Sequence, residues 1–279
     1  MSEFESPIQK SPAIYSLLPD SVPCCADTCV LHSARSCRCS VKKKRAMRSG
    51  HKSGSGSLSK RDVTRDLTSI ADLLPPHPTL EKLRQAARKC RACDLWRNAT
   101  QTVFGEGKPN ASIMLIGEQP GDQEDRVGRP FVGPAGKVLA DALAEAGIDR
   151  SAVYVTNVVK HFRWEPGERG KRRIHKKPRA SEIQACRPWL DAELALVKPE
   201  IVVCLGASAA QALLGKEFRV SRDRGKPVRS SVAPWLVATV HPSSILRAQD
   251  DESRQLQLRS LVDDLKGVAR LLAETSAAR

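Results

Sequence analysis

The sequence has no apolar run approaching the roughly 20 residues that a membrane-spanning helix needs. Its first ten residues carry acids and no apolar segment follows them, so the N-terminus does not resemble a signal peptide. The glycine-bearing segment GEQPG, residues 117–121, matches neither the Walker nor the dinucleotide fingerprint, which makes a nucleotide-binding protein the weaker interpretation. These absences favour a soluble cytosolic protein.

Basic residues exceed acidic ones, with 46 lysines and arginines against 31 aspartates and glutamates and a net charge of +15. Residues 1–76 hold 12 basic and 7 acidic residues, so the rest of the chain retains a charge of +10. A basic folded part predicts a polyanionic partner, most often nucleic acid. The alternative is a charge that serves only solubility.

Residues 1–76 have the composition of a disordered basic tail. They are rich in serine, proline, lysine and arginine, with KKKR at residues 42–45. Such a segment buries too little apolar surface to fold alone. Its five cysteines match no metal-binding spacing that we recognise, and Met47 offers an alternative first residue. We therefore expect one folded domain over residues 77–279.

From residue 78 onward, short apolar runs alternate with amphipathic stretches. The runs predict strands at residues 112–117, 152–159, 200–206 and 234–240. The stretches predict helices at residues 79–89, 135–146, 181–197, 207–214 and 253–274. Ser181 is the expected N-cap of the third helix. The alternation predicts a three-layer α/β/α fold around a four-stranded, mainly parallel sheet, with sites at the carboxyl ends of its strands.

Polar and aromatic residues follow the first two predicted strands. Glu118 and Asp125 belong to an acidic cluster after the first strand and are candidate general bases or charge stabilisers. Phe131, in a turn beyond them, is a candidate stacking platform for a flat ring. Asn157 lies at the end of the second strand, where its amide can read one edge of a base. Each residue also has a purely structural interpretation.

The segment HPSSILR follows the fourth predicted strand. Ser243 and Ser244 can bond phosphate, and Ile245 or Leu246 can wedge into a base stack. His241 is placed to stabilise an anion that leaves a sugar. A lone histidine is usually structural, so this segment counts only together with the others.

The basic segment GERGKRRIHKKP, residues 167–178, places one imidazole, His175, among lysines and arginines. Alone, it is better interpreted as a solvated loop. The alternative is a phosphate clamp that presses a nucleophile against a sugar.

Four cysteines lie in the globular part of the chain. Cys90 and Cys93 form a C-x2-C pair, and Cys186 lies in a later predicted helix, an arrangement that zinc and iron–sulfur sites both use. Cys204 lies in an apolar strand and is predicted to be part of the core.

The combination of GEQPG-D, PFVGPAG, TNVVK and HPSS at the strand ends resembles the uracil-DNA glycosylase superfamily over residues 83–272. It is most similar to the iron–sulfur family 4. The KRRIH insert, together with Gln119, resembles the UdgX branch, in which the histidine of that insert becomes covalently joined to DNA after uracil is released.

This resemblance implies a role for each matching residue. The implied catalytic residues are His175, Glu118, His241 and Asp125. The implied uracil-binding residues are Gln119, Phe131 and Asn157. The implied DNA-binding residues are Lys171, Arg172, Arg173, Ser243, Ser244 and Arg247. The implied ligands of a [4Fe-4S] cluster are Cys90, Cys93, His161 and Cys186.

We expect a monomeric, cytoplasmic, nucleoid-associated protein that acts on uracil-containing DNA, with single-stranded DNA preferred. Two alternatives stay open at this point. One is a conventional, multiple-turnover glycosylase in which His175 only contacts phosphate. The other is a non-catalytic DNA-binding module with a structural cluster.

Overall fold

The computed structural model describes residues 69–168 and 172–278. The predictions on the tail up to residue 68 and on Lys171 lie outside the described residues. Ile70 is buried in the core, so packing begins several residues before the expected boundary at residue 77. The division into a tail and one domain stays a prediction.

Seven strands are described: β1 (Glu106–Gly107), β2 (Ile113–Gly117), β3 (Tyr154–Asn157), β4 (Trp164–Pro166), β5 (Arg173–His175), β6 (Ile201–Leu205) and β7 (Trp235–Thr239). The main sheet has the order β1-β3-β2-β6-β7. Its four longer strands are parallel, which confirms the predicted sheet, and the two-residue β1 adds an antiparallel edge that was not predicted. Strands β4 and β5 form a separate antiparallel hairpin.

Eight α-helices are described: α1 (Leu80–Ala87), α2 (Asp122–Val127), α3 (Pro134–Glu145), α4 (Ala180–Val197), α5 (Ala207–Leu214), α6 (Val220–Asp223), α7 (Pro242–Leu246) and α8 (Asp251–Ala277). The five predicted helices correspond to α1, α3, α4, α5 and α8. Within the described residues, no helix is both long and apolar enough to cross a membrane.

Both faces of the sheet are covered, because successive side chains of a strand point to opposite sides. In β2, Met114 and Ile116 pack in the core with α1, α4 and α5. Ile113 and Leu115 pack in a second core with α3, α7 and α8. Cys204 of β6 is fully buried in the first core, as predicted. The three-layer α/β/α architecture is therefore confirmed.

The N-terminus of α4 differs from the prediction. Arg179, not Ser181, occupies the N-cap position, and its backbone N–H donates to Glu182 Oε2 at 2.7 Å. Ser181 lies inside the first turn and is exposed. A glutamate that closes the first turn in this way satisfies an N–H that would otherwise lack a partner, and so makes a serine cap unnecessary.

A buried ion pair lies beneath the end of β3. Lys160 and Glu193 are both 0% exposed, and their Nζ and Oε2 atoms are 2.5 Å apart. Lys160 Nζ also donates to the backbone oxygen of Asn157 at 2.7 Å. Glu193 Oε1 accepts from the Tyr154 hydroxyl and from the Gly105 N–H, both at 2.9 Å. This network supplies the hydrogen-bond partners that two buried charges require.

Replacing Lys160 with methionine should destabilise the protein by about 3–5 kcal/mol, because Glu193 is left as an unpaired buried charge. Chemical denaturation measures the change in the free energy of unfolding. The matched control is Lys137→Met, which breaks an exposed pair with Asp141 and should cost no more than about 0.5 kcal/mol. Equal effects of the two substitutions would contradict this account of the buried pair.

Candidate active site

The carboxyl ends of the parallel strands surround a small cavity of 160 Å³. Residues from three strand ends and from the hairpin line it: Gln119, Gly121, Glu124, Phe131, Ala135, Asn157, His175, His241, Ser243 and Arg247. A second cleft of 460 Å³ shares Gln119, His175, His241, Ser243 and Arg247 with it. A cavity of about 150 Å³ accepts benzene, so the smaller space has the size of one six-membered ring.

Phe131 forms one wall of the cavity. Its backbone has a φ of +55°, a left-handed conformation that is rare for a bulky residue. Gly136 permits this turn, because a Cβ at that position would collide with the Phe131 backbone. A Cβ on Gly117 would lie 2.7 Å from Phe131 Cζ, so glycine is also required under the ring. The strained backbone and the two glycines hold the aromatic face towards the cavity.

Asn157 forms a polar part of the cavity wall beside Phe131. It is 3% exposed, and no described residue hydrogen-bonds its side-chain amide. Lys160 holds its backbone oxygen, which fixes the end of the strand. Because buried amides are normally paired, a free amide at the cavity wall is suited to a ligand that presents both donors and acceptors.

His241 begins α7 and points its ring into the cavity. Its Nδ1 accepts the Ser243 backbone N–H at 3.1 Å, so the ring proton resides on Nε2. The ring stacks with Phe131 at 6.4 Å between centroids. Burial, with a further contribution from the charge of Arg247, lowers the pKa of His241 to about 4. His241 is therefore a neutral N–H donor at neutral pH.

The β4–β5 hairpin carries His175 to the cavity. His175 pairs with Trp164 across the hairpin, and its ring lies 5.8 Å from that of Phe162. Burial lowers the pKa of His175, while Glu118 opposes the shift and Arg247 adds to it. The imidazole is therefore mainly neutral at neutral pH, although its side chain is 49% exposed.

Gln119 fixes which nitrogen of His175 carries the lone pair. Its Oε1 accepts the Arg163 backbone N–H at 3.0 Å, and its Nε2 donates to the Lys176 carbonyl at 2.9 Å. These two contacts set the amide orientation, which the network alone determines. Gln119 Nε2 then donates to His175 Nε2 at 2.8 Å. His175 Nε2 is therefore the unprotonated nitrogen, and its lone pair accepts the Gln119 N–H beside the cavity.

Gln119 was predicted to bind uracil, but its amide is used for contacts with the hairpin. Both polar atoms of its side chain are engaged with the hairpin. The described contacts make Gln119 a clamp for His175, although it also lines the cavity.

Glu118 lies beside His175, with its Oε1 at 3.8 Å from His175 Nε2. This distance is too long for a hydrogen bond but short enough for an attraction between charges. Ser208, which the sequence analysis did not single out, donates to Glu118 Oε2. It follows the third predicted strand in Gly-Ala-Ser, and a search for polar side chains at every strand end would have found it.

Arg173 has internal partners. Its guanidinium pairs with Asp122 and, at 2.5 Å, with Asp125 Oδ2, and its predicted contact with DNA phosphate stays a prediction. Asp125 also accepts the Thr100 N–H at 3.0 Å and lines neither of the two cavities. A guanidinium that bridges two carboxylates through charge-assisted hydrogen bonds holds them strongly. In this geometry both residues anchor the hairpin, and neither reaches the cavity.

The α7 segment also differs in part from expectation. Ser243 Oγ contacts His241 Nδ1 at 2.8 Å, and Ser244 Oγ contacts Gln257 Oε1 at 2.8 Å, so both hydroxyls have internal partners. Ile245 is buried, whereas Leu246 is 45% exposed. Of the two candidate wedges, only Leu246 can therefore reach a base stack. Arg247 is exposed and lines both cavities, and Arg172 is exposed on the hairpin.

The three cysteines predicted as ligands interact with one another. Burial, with smaller contributions from Cys90 and Cys93, raises the pKa of Cys186 to about 12, while Lys160 opposes the shift. Trp189 Nε1 donates to Cys90 Sγ at 3.3 Å, and the Lys160 N–H donates to Cys186 Sγ at 3.2 Å. Donors directed at sulfur are typical of thiolates that bind iron–sulfur clusters.

The fourth predicted ligand, His161, is 5% exposed and shares a cavity with Cys90. Nevertheless, no three histidines, cysteines or acids among residues 69–168 and 172–278 converge tightly enough to hold a single metal ion. The donor set fits a thiolate-ligated group by its chemistry. The predicted set is not gathered around one point.

The sequence is similar to those of known proteins. A model of the uracil DNA glycosylase superfamily matches residues 104–266. The chain is 37% identical to the type-4 uracil-DNA glycosylase of Thermotoga maritima over 65% of this chain and 91% of that protein. It is 40% identical to the type-4 enzyme of Sulfurisphaera tokodaii over 53% and 66%, and 37% identical to that of Archaeoglobus fulgidus over 60% and 83%.

The ring of His241 should stay neutral, with its proton on Nε2, down to a pH of about 4. Nitrogen-detected NMR titration measures both the tautomer and the midpoint. Because the unfolded histidine titrates at about 6.5, the folded state loses stability as the pH falls from that value towards the folded pKa. A midpoint near the unfolded value, or a proton on Nδ1, would contradict the described contacts.

Proposed function

The chain belongs to the uracil-DNA glycosylase superfamily, and from this membership we propose that it excises uracil from DNA and then traps the abasic sugar covalently through His175. The type-4 relatives support the first part, uracil-DNA glycosylase activity. The second part rests on one observation, the hydrogen bond from Gln119 to His175 Nε2. That bond holds a neutral imidazole beside a cavity of the size of one base.

Recognition of uracil begins with its removal from the base stack, because a glycosidic bond inside a duplex is not accessible. The flipped pyrimidine stacks on Phe131, and its Watson–Crick edge pairs with the free amide of Asn157. The size of the cavity supports one ring rather than the two fused rings of a purine.

Departure of the base leaves negative charge on uracil and positive charge at C1′ of the sugar. His241 donates its Nε2–H to the developing anion. The pKa of the ring is about 4, so the ring is neutral at neutral pH, and the neutral ring already carries the Nε2 proton that it donates. The bond between C1′ and N1 breaks with its electron pair on uracil. Uracil then takes a proton from solvent.

Capture of the sugar uses the lone pair of His175 Nε2. This nitrogen releases the Gln119 N–H and bonds to C1′, so that the ring becomes a cation for a moment. The Nδ1 proton then leaves to solvent, and a neutral imidazole remains on the sugar. Glu118 Oε1, close to Nε2, stabilises the positive charge that develops on the sugar and the ring.

Internal ion pairs anchor the hairpin, because Arg173 pairs with Asp122 and Asp125. Arg172 on the hairpin and Arg247 after α7 remain available for phosphate. A rigid anchor lowers the entropy cost of placing a nucleophile carried by a loop. Uracil-containing single-stranded DNA is the proposed substrate of the monomer, since a single strand needs no base pair to be broken.

A [4Fe-4S] cluster is the proposed cofactor, with Cys90, Cys93, His161 and Cys186 as its ligands. Each of these ligands would bind a different iron of the cluster, so they need not converge on one point as zinc ligands do. The two N–H donors directed at sulfur support this assignment. The proposed role is structural, because the ligands join α1 to the segment that precedes the hairpin.

A conventional, multiple-turnover glycosylase is the second candidate function. The names of the relatives support uracil excision and do not mention trapping. In addition, the lone pair of His175 already accepts a hydrogen bond, which must break before any attack. In this alternative, His175 contacts phosphate and water captures the sugar.

Mixing the protein with a labelled, uracil-containing single-stranded oligonucleotide should give an adduct that survives a denaturing gel. His175→Ala should abolish the adduct, because no side chain of the protein then bonds to C1′. His175→Ser should release free uracil with turnover, because water can enter. The matched control is His77→Ala, which removes an exposed histidine at the other end of the described chain and should leave the adduct unchanged. An adduct that persists in His175→Ala would show that the nucleophile lies elsewhere.

Protein purified without oxygen should be brown and absorb broadly near about 400 nm, as thiolate-ligated clusters do. Cys186→Ala should lose this absorption and the iron, measured by metal analysis. Cys204→Ala is the matched control, since Cys204 is also a fully buried thiol but is no proposed ligand, and it should keep both. A colourless protein that contains zinc would contradict the cluster.

A further inference from the structure

Ser208 lies where two neighbouring strands end. Strands β2 and β6 pair in parallel, with Ile116 opposite Cys204, so Glu118 and the residues after Leu205 leave the sheet side by side. Ser208 is the second residue of α5. Gly206 allows the helix to begin here, because a Cβ at that position would lie 2.8 Å from His241 Cβ.

The hydroxyl of Ser208 contacts one of the two carboxylate oxygens of Glu118 and leaves the other near His175. It donates to Oε2, and it is the only described hydrogen-bond partner of this side chain. The other oxygen, Oε1, is left at 3.8 Å from His175 Nε2. A glutamate side chain has several rotatable bonds, so one fixed oxygen restricts where the other can lie.

We propose that Ser208 is a positioning residue that holds the Glu118 carboxylate against His175, and this inference rests on the proposed function. A fixed negative charge lowers the energy of the cation that forms when Nε2 bonds to C1′. Without the hydroxyl, the carboxylate can turn towards solvent, where water screens its charge.

The charged and titratable groups that line the cleft with His175 are Glu118, Lys177, Arg247 and His241. Of these, only Glu118 raises the pKa of His175. Loss of Ser208 should therefore let the pKa of His175 fall further, because the opposing charge moves away. A role confined to the stability of the fold would not change this pKa.

The test compares Ser208→Ala and Ser208→Thr with Ser181→Ala. Ser181 is the matched control, because it is also the second residue of a helix that begins with alanine, α4, and it is exposed. Rapid-quench kinetics measure the rate of adduct formation on the uracil oligonucleotide, and NMR titration measures the pKa of His175 in each protein.

Ser208→Ala should slow adduct formation by about tenfold, which corresponds to the lower end of the free energy that a hydrogen bond to a charged group contributes. It should also lower the pKa of His175. Ser208→Thr should restore both, and Ser181→Ala should change neither. An unchanged rate or an unchanged pKa in Ser208→Ala would overturn the inference. If the wild-type protein turns over without an adduct, the proposed function fails, while the titration still decides whether Ser208 holds Glu118 against His175.

Discussion

The side-chain amide of Gln119 joins the end of β2 to a hairpin whose histidine lies 56 residues further along the chain. One amide makes contacts with the Arg163 N–H, the Lys176 carbonyl and the His175 ring. Because the backbone contacts fix its orientation, the third contact determines the tautomer of the imidazole. The chemistry proposed for His175 depends on this one constraint, since a protonated Nε2 would have no lone pair to offer.

The buried pair of Lys160 and Glu193 also joins separate parts of the chain, beneath the site. Lys160 holds the backbone of Asn157 with its side chain, while its own N–H donates to Cys186 Sγ. Asn157, which we propose reads the base, and the thiol of Cys186 therefore both contact the same lysine. A buried charge pair is costly unless every partner is in place, so this part of the fold tolerates little rearrangement.

The sequence predicted the layers and strand ends well, because apolar periodicity is a local property that the core then fixes. Phe131, Asn157 and His241 meet at one cavity as expected, since parallel strands bring their carboxyl ends to one edge. The internal pairing of Arg173 was not predicted. Its carboxylate partners lie 48 and 51 residues away, and composition cannot distinguish a cation that faces DNA from one that anchors a hairpin. The contact between Ser208 and Glu118 could not be predicted for the same reason, because the two residues are 90 positions apart.

In the proposed reaction, His175 Nε2 forms the bond to C1′ of the sugar. Mass spectrometry of the adduct, after digestion of both the DNA and the protein, measures which residue carries the deoxyribose. One modified peptide is expected, with the added mass on His175. An unmodified His175 peptide, together with release of many uracils per protein molecule, would contradict capture by His175 and support conventional turnover.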